Sequence, residues 1–115
     1  MQLKTQLSRL VKAGKSAEAV ETFATLCGIS GQMLKNLVRQ QSDETIVILG
    51  KAAGLGWPDL KELLVLTMKD KFAQADRGKT LFNTFAGLTG DNAQRILRFV
   101  RTSKAVSGSD VKKMM

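Results

Sequence analysis

Most apolar residues of this sequence recur at intervals of three or four positions, which places them on one face of a helix. In the first segment, Leu3, Leu7 and Leu10 follow this spacing, and Gly14 comes where such a helix would end. Six further stripes are expected to face the core, and their positions are Val20, Phe23, Ala24 and Cys27; Met33, Leu34, Leu37 and Val38; Ile46, Leu49, Ala52 and Ala53; Leu60, Leu63, Leu64 and Thr67; Leu81, Phe82, Phe85 and Ala86; and Ala93, Ile96, Leu97 and Val100. No stretch sustains an alternation of apolar and polar residues, so the pattern predicts an all-α fold of about seven helices without a sheet.

Capping residues mark where the predicted helices begin. Three hydroxyl residues precede apolar stripes and are expected to cap the helix that follows: Ser16, Ser30 and Thr89. The fourth helix is expected to start at Ser42 or Asp43. The fifth is expected to start at Trp57-Pro58, because proline in a first turn lacks an N–H that would have no partner there. Trp57 is either an interface anchor or, as we favour, a side chain packed on Pro58. The charged stretch 69–78 is predicted to be a connection that can include the start of the sixth helix.

Three predicted turns share one sequence pattern, centred on Gly28, Gly54 and Gly87. In each turn a glycine, which can adopt the left-handed conformation that ends a helix, is followed by Ile or Leu. A small residue precedes each glycine and is expected to be packed at the corner, and these residues are Cys27, Ala53 and Ala86. Since hairpins of this kind bury their apolar faces by stacking, the pattern predicts stacked helix–turn–helix hairpin repeats.

The same pattern predicts the domain organisation. A chain of 115 residues is long enough for one continuous core. We therefore expect a single helical-repeat domain over residues 1–106, in which the unpaired first helix is a cap or the remnant of an earlier unit. Residues 107–115 have little to bury, so they are predicted to form a flexible C-terminal tail.

The stretch from Gly50 to Leu64 resembles the signature segment of a bacterial, mostly alphaproteobacterial, family known only as a domain of unknown function. The resemblance rests on an Ala-Ala-Gly-Leu-x-Trp-Pro core that begins at Ala52, and it is clearest from about Ile46 to Arg101. It implies a helical fold and a bacterial origin. It carries over no catalytic or binding residue, because the family that it resembles has no assigned activity.

Basic residues outnumber acidic ones, which gives a formal net charge of +8 at neutral pH. Such an excess favours nucleic acid, anionic lipid or an acidic protein surface as partner, although a solvated basic face explains it equally well. No apolar run approaches the roughly 20 residues of a membrane-spanning helix, so no membrane insertion is expected. A single cysteine is typical of a reducing compartment, so we expect a cytoplasmic location.

The residue types that most often carry catalysis are missing or isolated. The sequence has no histidine, which removes the commonest general base and metal ligand, and its single cysteine lacks a histidine partner. Cys27 is expected to be a buried corner residue, because alanine occupies the matching positions of the other turns. No pair of carboxylates stands at a spacing that indicates an acid–base couple. The sequence therefore predicts a non-enzymatic protein without a cofactor or a metal site.

A basic stripe on the last predicted helix is the first candidate contact surface. Arg95, Arg98 and Arg101 cover about a third of the helix circumference, opposite the apolar positions, and Lys104 extends the stripe. Because guanidinium groups bind carboxylates and phosphates through paired hydrogen bonds, we expect this face to bind another protein with an acidic surface. A solvated face is an equally good explanation of the stripe.

The turn at Gly28 also fits a DNA-reading helix–turn–helix, which is the alternative function. Ala24, Gly28 and Ser30 occupy the positions that this motif prefers. The recognition helix would then present four polar side chains: Gln32, Lys35, Asn36 and Arg39. Recurrence of the same corner at Gly54 and Gly87 favours a structural repeat, so DNA stays the second candidate partner.

Overall fold

A computed structural model of the protein describes residues 3–40 and 42–102. These residues form eight helices, and no strand occurs among them. The helices are α1 (Leu3–Lys12), α2 (Ser16–Cys27), α3 (Gly31–Arg39), α4 (Asp43–Ala52), α5 (Trp57–Thr67), α6 (Lys69–Phe72), α7 (Arg77–Gly87) and α8 (Gly90–Thr102). The all-α prediction is confirmed, and the helix beyond the expected seven is α6, a single turn within the predicted connection. Lys104 and the predicted tail lie outside the described residues.

Helix α4 lies at the centre of the fold, in contact with α2, α3, α5, α7 and α8. The spacing of its apolar residues predicted one inward stripe on this helix, but every residue from Thr45 to Gly50 is buried. The consecutive apolar residues 46–49 leave no polar side for solvent, so this helix needs neighbours all round. Gly50 allows α5 to approach closely, since a Cβ atom there would lie 2.7 Å from Leu60 Cδ1. Burial of α4 therefore requires the surrounding helices to pack on all of its sides.

The helix ends at Gly14, Gly28 and Gly54 share one local geometry. All three glycines have positive φ angles, between 74° and 86°. At the second of these corners the N–H of Ile29 donates to Ala24 O at 3.0 Å, which is the long hydrogen bond of a Schellman motif. The prediction that glycine ends these three helices is confirmed.

The corner at Gly87 differs from that geometry. Gly87 is the last residue of α7 and lacks a positive φ, and the chain leaves the helix through an extended Leu88 (φ −84°, ψ 131°). Ala86, expected to be packed like Cys27, is exposed. Both α7 and α8 pack mainly against α4 rather than against each other. The prediction of a third equivalent corner is therefore wrong: residues 88 and 89 join α7 to α8 through an extended backbone, and this connection does not need a left-handed glycine.

Two of the three predicted N-caps are confirmed. The hydroxyl oxygens of Ser30 and Thr89 each accept a hydrogen bond from the backbone N–H three residues ahead, at 3.1 Å and 3.2 Å. Ser16 is instead the first helical residue of α2, and its hydroxyl does not cap the helix. The reason is that the turn at Gly14 leads directly into α2 and leaves Ser16 inside the first turn. Helices α4 and α5 begin at the expected residues.

The aromatic residues of α7 do not all face the core. Leu81 is buried and Phe85 is half-buried, whereas Phe82 is 43% exposed. Trp57 of α5 packs against Phe82 and Phe85, with ring centroids 5.4 Å and 5.7 Å apart. Trp57 is thus a packed side chain whose aromatic partners lie on α7. The prediction that Phe82 faces the core is wrong. The apolar residues of α7 span a wider face than α4 covers, so Phe82 remains exposed.

Candidate interaction surface

Helix α8 presents the first two arginines of the predicted stripe to solvent. Its inward face is buried against α4 and consists of Ala93, Ile96, Leu97 and Val100. On the other side Arg95 and Arg98 are exposed and lie about 60° apart around the helix. Neither side chain forms a hydrogen bond or an ion pair with another described residue. Phe99, which is 37% exposed, lies about 40° from Arg95 on the same face.

Arg101, the third arginine, binds the protein's own backbone. Its Nε donates a hydrogen bond of 2.8 Å to the carbonyl oxygen of Cys27, at the C-terminal end of α2. Arg101 lies about 120° around α8 from Arg95, at the edge where α8 meets the α2–α3 corner. A Cβ atom at Gly28 would lie only 2.9 Å from this Nε, so glycine there leaves room for the guanidinium group. The structure therefore separates Arg101 from Arg95 and Arg98.

At two other helix ends, a side chain from another helix also donates a hydrogen bond to a backbone carbonyl oxygen. Gln94 of α8 donates from Nε2 to the carbonyl oxygen of Ala52, at the end of α4. Lys51 of α4 donates from Nζ to the carbonyl oxygen of Phe85, near the end of α7, and its ammonium lies 4.8 Å from the centroid of that ring. The last carbonyl groups of a helix have no partner within it, so these side chains satisfy otherwise orphaned acceptors. No sequence signal pointed to them, because each bond joins distant parts of the chain.

Cys27 lies in a buried corner, as its position before Gly28 predicted. Its side chain is fully buried, and its Sγ atom lies 3.8 Å from the carbonyl oxygen of Leu49 in α4. Burial raises the pKa of the Cys27 thiol to about 12, although the charge of Arg101 opposes the shift. A protonated and shielded thiol fits a packing residue and not a nucleophile.

An ion-pair cluster that no sequence pattern indicated joins the N-terminal ends of α4 and α7. The buried carboxylate of Asp43 accepts hydrogen bonds from Arg77 Nε at 2.8 Å and Arg77 Nη2 at 2.5 Å, and Lys71 Nζ lies 3.5 Å from its Oδ1. Arg77 Nη2 also lies 3.4 Å from Glu44 Oε1. Burial alone would raise the pKa of Asp43, but the hydrogen bonds and charge of Arg77 and the charge of Lys71 hold it below its ordinary value. Both carboxylate oxygens of Asp43 accept hydrogen bonds, so the cluster fits a structural role in which it links α4 to α7.

The four residues of the alternative nucleic-acid face lie on α3, and three of them have partners within the protein. Gln32 Nε2 donates to Asn36 Oδ1 at 3.1 Å, and Lys35 Nζ lies 3.0 Å from Glu21 Oε1 of α2. Arg39 is exposed near the end of the helix. The Glu21 carboxylate also lies beside the start of α3, where a Cβ atom on the first helical residue would be 2.5 Å from Oε2. The N-terminal end of the would-be recognition helix therefore carries a negative charge.

The described residues contain no group of three or more cysteine, aspartate or glutamate side chains that could hold a metal ion. None of the helices in this part of the chain is long and apolar enough to cross a membrane.

Comparison with known proteins identifies a family. Residues 3–98 match the family described as an uncharacterised protein conserved in bacteria (DUF2336). The match extends from α1 into α8, so it includes the first half of the chain, which lay outside the stretch with the clearest resemblance. No curated protein and no solved structure matches the chain. The chain therefore belongs to this bacterial family.

Proposed function

We propose that this member of the DUF2336 family is a non-enzymatic interaction module that binds an acidic surface of a partner protein through α8. The observation that carries the proposal is the outward face of this helix, where Arg95 and Arg98 project without a partner among the described residues. Two guanidinium groups on one face can each bind a carboxylate through paired hydrogen bonds. Phe99 adds exposed aromatic surface beside them, and aromatic residues and arginine are both enriched in protein interfaces.

Arg101 and Lys104 contribute to this proposal in different ways. Arg101 fastens the C-terminal part of α8 to the α2–α3 corner, which holds the exposed arginines in position. Lys104 extends the basic run along the sequence. The net charge of +8 would speed the approach of an acidic partner, and we place that encounter in the cytoplasm.

The alternative function is sequence-specific DNA binding by α2 and α3. The left-handed Gly28 and the N-cap Ser30 have the geometry that a helix–turn–helix requires. The position of Glu21 weighs against this function: its carboxylate pairs with Lys35 and lies at the start of α3, so it offsets positive charge that would otherwise attract phosphate. We therefore place protein binding first.

A pull-down with a matched control tests the α8 surface. The immobilised protein is incubated with nuclease-treated lysate of its native bacterium, and retained proteins are quantified for the wild type, Arg95→Ala/Arg98→Ala and Lys69→Ala/Lys79→Ala. The last variant removes the same charge from exposed positions on α6 and α7. We expect the α8 variant alone to lose about tenfold in partner binding, or about 1.4 kcal/mol. Equal retention by the three proteins would contradict the proposal.

DNA selection at physiological ionic strength separates the two functions. Weak binding at low salt is expected of any protein with this charge and decides nothing. A sequence reader would keep a site bound tighter than random DNA by about three orders of magnitude, and replacing Gln32, Lys35 and Arg39 with alanine would abolish the preference. We expect no preferred site, and only a lower non-specific affinity in the triple variant. A site that survives physiological salt and depends on these residues would reverse the order of the two functions.

A further inference from the structure

A groove between α1 and α5 is separate from the α8 face. It encloses about 500 Å³. Its lining includes apolar Val11, Pro58 and Val65, basic Lys12 and Lys61, and acidic Glu62. Val65 is 40% exposed, and it is one of only three large apolar side chains exposed among the described residues. An apolar side chain left open in a groove marks a surface that a partner can cover.

A second depression, of about 460 Å³, continues the groove along α1 and shares Lys12 with it. It adds Lys4 and Arg9 from α1 and Asp59 from α5. Helix α1 contains no acidic residue. The side chains of Arg9, Lys12 and Lys61 form no ion pair with any other described residue. The combined groove therefore joins an apolar surface to an edge with excess positive charge.

We infer that this groove, which we call the α1–α5 groove, binds a short amphipathic helix of a partner protein. Apolar side chains of that helix would contact Val65, and its carboxylates would pair with Arg9, Lys12 and Lys61. From Pro58 to Leu66 the groove follows α5 for about 12 Å, which is about two helical turns. Helices bound in grooves use apolar anchors spaced by three or four residues, and two turns accommodate such a set.

Charge favours this occupant over a second copy of the chain and over nucleic acid. A second copy would bring its own net charge of +8 to a basic edge, so the two would repel. A nucleic acid backbone would pair with Lys12 and Lys61 but would leave Val65 uncovered by apolar atoms. An acidic amphipathic helix satisfies both parts of the groove.

Fluorescence anisotropy with synthetic peptides and the full chain tests the inference. The probe is a fluorescein-labelled, helix-stabilised peptide of about four turns, with leucine along one face and glutamate on both flanks. Two comparison peptides have the same composition in scrambled order, or lysine in place of glutamate. We expect the probe to bind about tenfold tighter than either of them.

Matched variants locate the binding site. The variant Val65→Gln removes the apolar contact, and the variant Arg9→Ala/Lys12→Ala removes two positive charges from the edge of the groove. Each is expected to weaken probe binding about tenfold. Their controls are Phe82→Gln, at a position that is 43% exposed, and Lys69→Ala/Lys79→Ala. We expect both controls to bind the probe like the wild type, with unchanged circular dichroism for all variants. Arg95→Ala/Arg98→Ala should also leave probe binding unchanged, so failure here is distinct from failure of the α8 proposal.

Three outcomes would overturn the inference. The first is equal binding of the three peptides, or equal binding of the probe to groove and control variants. The second is a concentration-dependent dimer in sedimentation that Val65→Gln abolishes, because the occupant would then be a second copy. The third is a DNA duplex that displaces the probe and loses affinity in the same variants, because the groove would then bind nucleic acid.

Discussion

The corner between α2 and α3 and the corner between α7 and α8 reverse the chain in different ways. At the first corner Gly28 is left-handed, and the two helices pack against each other. At the second corner Leu88 is extended, and both helices lie against α4. In each case a basic side chain from another helix binds a carbonyl group at the end of the leading helix: Arg101 on α2 and Lys51 on α7.

The difference shows which parts of the fold depend on the central helix. Asp43 at the start of α4 binds Arg77 at the start of α7, and Lys51 near the end of α4 binds the carbonyl oxygen of Phe85. Helix α7 is thus fastened to α4 at both of its ends, whereas the α2–α3 corner is shaped by its own backbone hydrogen bonds. Loss of the α4 contacts should therefore loosen α7 first, and a change at Gly28 should act on α2 and α3.

The largest effect is expected from Asp43→Ala. The change leaves Arg77 and Lys71 without their carboxylate in a partly buried site, so we expect the free energy of unfolding to fall by about 2–3 kcal/mol. Urea denaturation measures the loss, and hydrogen exchange should show α7 losing protection before α2. Glu44→Ala is the control, because Glu44 is more exposed and 3.4 Å from Arg77, and it should cost less than about 1 kcal/mol. Equal losses in the two variants would contradict a special role for Asp43.

The contribution of Asp43 should also depend on pH. Because its folded pKa is lowered, the stabilisation is fully present above the unfolded pKa of about 3.9 and is lost as the pH falls through the folded value. The stability difference between the wild type and Asp43→Asn should therefore be constant near neutral pH and shrink below about pH 4. Urea midpoints of both proteins between neutral and acidic pH measure this difference, and a constant gap at all pH values would refute the ion pair.

Gly28→Ala tests the local geometry of the first corner. A residue with a side chain pays about 1–2 kcal/mol for the left-handed conformation, and its Cβ atom would also displace the Arg101 guanidinium. We expect a destabilisation of that size in urea denaturation, with exchange protection lost at the end of α2. Unchanged stability would mean that this corner does not need glycine.

Arg101→Ala should have a smaller effect. It removes one hydrogen bond from a carbonyl group that has no partner within α2, which is expected to cost about 1 kcal/mol. Arg98→Ala, on the exposed face of the same helix, should change the stability by less than about 0.5 kcal/mol. Similar effects of the two changes would remove the distinction between the structural arginine and the contact arginines.

Gly87→Ala should have the smallest effect, and of the opposite sign to Gly28→Ala. The φ of Gly87 is not positive and no atom lies within 4 Å of the position of an added Cβ, so alanine fits without strain. Alanine is also the better helix former, so we expect the stability to stay the same or to rise by up to about 1 kcal/mol. A loss as large as that of Gly28→Ala in the same urea assay would show that the two corners are alike.

The local predictions that the structure confirms are helix ends and caps. The left-handed turn at Gly28 and the caps at Ser30 and Thr89 involve groups within a few residues of one another, so the residue types alone indicate them. The exposure of Arg95 and Arg98 followed from the helical period of the buried residues on α8.

The remaining features depend on which helices meet. Phe82 has the same apolar character as Leu81, but its exposure depends on how much of α7 the central helix covers. The groove beside Val65 exists because α1 and α5 come together, and neither helix alone indicates it.

The sequence by itself determined the helical class, the boundaries of most helices and the identity of the apolar faces, because these features arise within one or two helical turns. Only the tertiary structure decided that α4 is covered on all sides, that Arg101 binds the backbone and that Asp43 is neutralised by Arg77. The physical reason is the separation of the partners along the chain, which is 74 residues for Arg101 and Cys27 and 34 residues for Arg77 and Asp43. Such contacts form only after the helices have packed, so no local pattern of residue types contains them.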